Sequence, residues 1–132
     1  MSAMALAHDW TAHPGMPTGP VKGTCLVSGI FDLAPVLEIS LNEEIRAKAD
    51  DVAPLSPLNH APRYPLPIIV GVGLAESEEW VRQSHLYTET AENAGCQVEL
   101  IEVPAAHHFS ILFDMQQAAN PITIRLCDMM LG

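Results

Sequence analysis

Two short apolar runs, residues 68–73 (IIVGVG) and 97–103 (QVELIEV), bracket a stretch with a different period. The first is too short for a helix and ends in glycine, which reads as a fully buried parallel strand. The second alternates like a strand and is closed by Pro104. Between them Trp80, Ser84, Tyr87, Ala91 and Ala94 recur at spacings of four and three, and so lie on one helical face. Ser77 followed by Glu78 and Glu79 suits the helix start, and Gly95 suits its C-terminal cap. Strand, helix and strand in this order predict a right-handed crossover in a parallel sheet with helices on its faces.

The rest of the chain extends that pattern. Residues 2–9 are short and Ala-rich and read as the end of a helix without a cap of its own. Met1 is then either an internal methionine of a longer protein or a chosen start codon. After a turn-rich loop, residues 21–28 (VKGTCLVS) form a compact apolar, β-branched run that predicts a buried strand. Ser40 and Glu43 make a capping-box pattern for a short helix to about Ala47, and a proline-studded loop spans residues 54–67. Residues 110–117 and 122–131 are the last helix candidates, the second opened by Asn120 and Pro121. Three strands with flanking helices leave one sheet edge apolar and exposed, a feature proteins usually cover, so upstream strands are expected to be missing.

Charge and composition narrow the partners. At 132 residues, 48% hydrophobic and 17% charged, the chain can build a modest core as a single partial domain over residues 1–132. Sixteen acidic against six basic residues give a formal net charge of −10, which argues against nucleic acid and anionic membrane partners. No apolar stretch approaches a membrane span and no secretory leader is evident. Cys25, Cys96 and Cys127 contain no CxxC pair and are odd in number, and read as buried thiols. A reducing, cytoplasmic setting is expected, with homo-oligomerisation left open.

In open α/β sheets the chemistry clusters beyond the C-terminal strand ends. Asp32 follows the first strand, Glu76, Glu78 and Glu79 follow the second, and His107 and His108 follow the third. A carboxylate after one strand and a histidine after its neighbour can meet as the base and orienting acid of a triad. The order acid then histidine is that of α/β-hydrolases. Asp32 reads as a turn or capping residue, and Glu78 and Glu79 as helix-start carboxylates. Trp80 reads as core. His107 and His108 with His85 or His60 lack any HxxxH or HExxH spacing, so no metal and no cofactor is expected.

These residues also carry a resemblance. Residues 73–84 (GLAESEEWVRQS) and 103–110 (VPAAHHFS) resemble the late segments of the arylformamidase (kynurenine formamidase) and related esterase branch of the α/β-hydrolases. Residues 28–33 (SGIFDL), 42–46 (NEEIR) and 55–58 (LSPL) are similar to the segments before them. The resemblance implies the C-terminal portion of an α/β-hydrolase fold and a parent serine hydrolase acting on a carboxylic ester or aryl formamide, N-formylkynurenine among them. It places the triad acid on Glu76, with Glu for the commoner Asp, and the triad histidine on His108, next to Phe109, leaving His107 a structural or surface role. The GxSxG elbow and HGG-type oxyanion loop are not in the sequence, and residues 2–7 resemble the helix after that elbow, so Ser2 receives no catalytic role. The chain alone is expected to be inactive. The alternatives are a noncatalytic or degenerate domain that folds against a partner, and a small independent α/β binding module.

Overall fold

The structure is a computed structural model that describes residues 2–40 and 42–132. Met1, and Leu41 inside the expected helix at residues 40–47, lie outside them. Its elements in order are α1 (Ser2–Ala7), β1 (Thr24–Val27), α2 (Asn42–Ile45), α3 (Ala49–Leu55), β2 (Pro67–Gly73), α4 (Glu78–Asn93), β3 (Gln97–Val103), α5 (Ser110–Asp114) and α6 (Pro121–Leu131). Single 3-10 turns occupy Trp10–Ala12, Ala34–Glu38 and Pro57–Asn59.

The three strands form one parallel sheet in the order β1-β2-β3. β2 is central and buried from Ile68 to Gly73, as its unbroken apolar run requires. Its alternate residues serve two cores. Ile68 and Val70 pack with Ala3, Leu6, Leu26, Phe31, Tyr87 and Ala91 on the side of α1 and α4. Ile69 packs with Ala106, Ile111 and Ile122 on the side of α6. Phe31 stacks on Tyr87 at 4.3 Å between ring centroids, which ties the segment after β1 to α4.

The differences from the sequence reading have local causes. β1 begins at Thr24 rather than Val21, because its ladder starts at Thr24↔Ile68 and the proline before Ile68 brings no N–H to extend it. α3 falls where a loop was expected to begin. Its start is held by the Asp51 carboxylate, which accepts the Lys48 N–H at 2.8 Å, and Pro54 sits in its last turn. β3 does not alternate in burial, since both of its faces are covered: Val98 and Leu100 pack on the α4 side, Ile101 and Val103 on the α6 side. α5 stops at Asp114 instead of Gln117. Cys127 is exposed, one step off the stripe of Ile122, Leu126 and Met129 that α6 buries; Cys96 is buried and Cys25 half-buried. Among the described residues no helix is long and apolar enough to cross a membrane.

Candidate active site

The C-terminal ends of the three strands bring one residue each to a common point: Ser28 after β1, Glu76 after β2 and His108 after β3. The turn after β2 is laced to the loop after β3 by backbone bonds. Leu74 N–H donates to Val103 O at 3.0 Å and Ala75 N–H to Ala106 O at 3.0 Å. Gly73 is what permits the approach, because a Cβ there would overlap the Ala106 carbonyl. Ala105 turns that loop with a φ of 60°, a backbone region costly for a residue with a side chain.

The Glu76 side chain is only 2% exposed, and both of its carboxylate oxygens are hydrogen-bonded. Oε1 accepts the Ser28 hydroxyl at 2.6 Å and the Gly73 N–H at 2.9 Å. Oε2 lies 2.9 Å from His108 Nδ1. His108 itself is 47% exposed, and its Nε2 makes no hydrogen bond among the described residues. The imidazole is flanked edge-on by Trp80 and Phe109, each with its ring centroid at 5.5 Å. These residues, with Ala75, Ser77 and His107, line an open recess of about 500 Å³. The arrangement is a buried carboxylate that fixes one nitrogen of an imidazole and leaves the other facing accessible space, which suits proton transfer.

The other sequence candidates fall outside this contact. Asp32 Oδ1 accepts the Ala34 N–H at 2.9 Å, a turn-capping bond. Glu79 pairs with Arg82 and Gln83 on α4, and Glu78 lies in the first turn of that helix. His107 Nδ1 accepts the Phe109 and Ser110 N–H groups at 3.3 Å, so it caps the start of α5 and, although it borders the recess, makes no bond to Glu76 or His108 among the described residues. His85 pairs with Glu102 at 2.9 Å across α4 and β3. Among the described residues no group of three or more His, Cys, Asp or Glu is gathered to hold a metal.

Three participants escaped the sequence reading. Ser28 sits buried at a φ of 48° and had no pattern to mark it beyond its place at a strand end. Trp80, read as core, is half-buried and donates its indole N–H to Ser28 O at 3.0 Å while bordering His108. Gln83, buried on α4, accepts the Phe31 and Asp32 N–H groups at 2.7 and 2.8 Å and returns an N–H to Asp32 O at 3.1 Å, fixing the segment that follows Ser28. Helical spacing could place Trp80 and Gln83 near the strand ends but could not say what they bond.

No protein-family model matches the chain. It is 32% identical over 136 residues to a kynurenine formamidase of Salmo salar, covering 98% of this chain and 46% of that protein. It is 33% identical over 117 residues to a kynurenine formamidase of Danio rerio, covering 85% and 39% respectively. The chain therefore spans less than half the length of these curated relatives. Among solved structures, a protein of Silicibacter sp. assigned as a thioesterase superposes with a TM-score of 0.72 at 23% identity, over 93% of this chain and 44% of that one. The fold is that of the C-terminal portion of an α/β-hydrolase.

Proposed function

We propose that this chain supplies the acid and the histidine of a serine-hydrolase triad that acts on a carboxylic ester or an aryl formamide, N-formylkynurenine being the formamide its relatives' name suggests. The supporting observation is the buried Glu76 carboxylate, 2.9 Å from His108 Nδ1 at the ends of adjacent parallel strands, with Nε2 unbonded beside an open recess. Similarity to kynurenine formamidases and the α/β-hydrolase fold point to the same chemistry.

In this reading a serine outside these residues attacks the substrate carbonyl. His108 Nε2 takes the serine proton and later returns it to the leaving amine or alcohol, while Glu76 holds the Nδ1–H tautomer and stabilises the imidazolium that forms. Water then releases the acyl or formyl group by the same proton path. Trp80 and Phe109 border the imidazole edge-on and leave it about half-exposed to the recess where a substrate would sit.

The test joins this chain to a GxSxG-bearing segment in one polypeptide and measures turnover of an ester and of an aryl formamide. Glu76→Gln and His108→Ala each lower kcat by about a thousandfold or more, with KM little changed. Parental rates in both variants would sink the assignment. The isolated 132 residues show no turnover, since the attacking group and the oxyanion donors are both outside them.

The outer edges of β1 and β3, unpaired among the described residues, favour a second reading, a noncatalytic domain that folds against a partner strand. Absence of turnover in the joined polypeptide, together with a cooperative folding transition of the 132 residues that appears only on addition of a partner, would support it.

A further inference from the structure

Ser28 combines three features that burial alone does not call for. It is a residue with a side chain in the left-handed backbone region, at a φ of 48°. It is 7% exposed, and its backbone is held at both ends, the N–H by Gly71 O at 2.8 Å and the carbonyl by the Trp80 indole at 3.0 Å. Its hydroxyl donates 2.6 Å to Glu76 Oε1, a short bond to a carboxylate from a residue 48 positions away.

We propose that Ser28 is a positioning residue for the acid of this site: with the Gly73 N–H it pins Oε1 of Glu76, so that Oε2 is presented to His108. The proposal rests on the reading of Glu76 and His108 given above. A glutamate has one more side-chain torsion than an aspartate, and its carboxyl plane rotates freely unless donors fix it. The Gly73 N–H alone, at 2.9 Å, holds one oxygen but leaves the plane to turn about that single bond. The Ser28 hydroxyl, arriving from a different strand, supplies the second point. The strained turn at residue 28 is the means of delivery, because it aims the side chain from the end of β1 across to the turn after β2. Strain held in place by surrounding bonds is characteristic of such positions.

The experiment uses the polypeptide that joins this chain to a GxSxG-bearing segment, with p-nitrophenyl acetate as substrate. Ser28→Gly removes the hydroxyl and suits the left-handed backbone, so folding is spared. Ser28→Thr keeps a hydroxyl but strains the turn further. The Gly variant loses about tenfold to a hundredfold in kcat with KM unchanged, and its His108 ring, read by nitrogen NMR, leaves the Nδ1–H tautomer. The Thr variant recovers most of the turnover although its thermal midpoint is the lower of the two. Parental kcat in Ser28→Gly while Glu76→Gln is crippled would overturn the role of Ser28 and leave the triad standing. Parental kcat in Glu76→Gln would remove the triad reading and this proposal with it. A loss in Ser28→Gly with the His108 tautomer retained would make the residue merely structural and equally overturn it; where Ser28→Thr does not fold, that tautomer measurement decides.

Discussion

Tyr87 and Glu79 show how differently two polar groups on one helix are settled. The Tyr87 ring is fully buried against Phe31, yet its hydroxyl has no hydrogen-bond partner among the described residues. Burial first, and the neighbouring Cys96 thiol second, push the phenol up to about 12. Tyr87→Phe keeps the stacked ring and deletes the unsatisfied group, so it should raise stability by about 1 kcal/mol in a urea titration; a loss of that size would reveal a partner for the hydroxyl. Glu79 is the opposite case. Hydrogen bonds from Arg82 and then Gln83 lower its carboxyl from 4.5 to about 2. Its folded value is depressed, so its contribution is present above about pH 4.5 and is lost as pH falls towards 2. The thermal midpoint of Glu79→Gln should lie below that of the parent at neutral pH and converge with it in acid. The side chain is one-third exposed and the pair is solvent-screened, so the gap is small.

Among the elements, the loops after β2 and β3 carry the site, and their meeting depends on a missing side chain. Gly73→Ala would drive a Cβ into the Ala106 carbonyl and part the backbone bonds that lace the two loops. It should cost about 1–3 kcal/mol in denaturant midpoint and lower kcat more than a surface Gly→Ala change does, because Glu76 and His108 ride on the separated segments. Parental stability in that variant would mean the loops can shift without loss. The sequence made these elements legible to different degrees. β2, α4 and β3 were readable because their periods change cleanly and Ser77 and Gly95 mark the helix ends, with Gly95 taking a φ of 88°. α3 was not, because a proline in a last turn looks the same in sequence as a proline in a loop.

At the scale of the molecule, the sheet is covered on both faces by α1, α4 and α6, but β1 and β3 are edge strands, each with a neighbour on one side only among the described residues. Phe109, Leu112 and Phe113, just past β3, are also exposed. An uncovered strand edge beside apolar side chains favours association. The isolated chain should therefore self-associate as its concentration rises, seen by sedimentation velocity, and become monodisperse when joined to a GxSxG-bearing segment. A cooperative thermal transition of a monomeric isolated chain would instead favour a small independent domain.

Resemblance to a known family, not the pattern, singled out Glu76 and His108; what the sequence pattern determined by itself was the parallel βαβ order and the strand-end placement of the carboxylates after β2 and the histidines after β3. Those follow from periodicity and chain order, which act locally and survive being read one residue at a time. What the tertiary structure decided was which atoms meet: Oε2 of Glu76 with Nδ1 of His108, Oε1 with the Ser28 hydroxyl and the Gly73 N–H, and His107 turned to cap α5 instead. Those contacts join residues 32 and 48 positions apart. They exist only because adjacent parallel strands end side by side, and no local pattern encodes the distance between two strand ends.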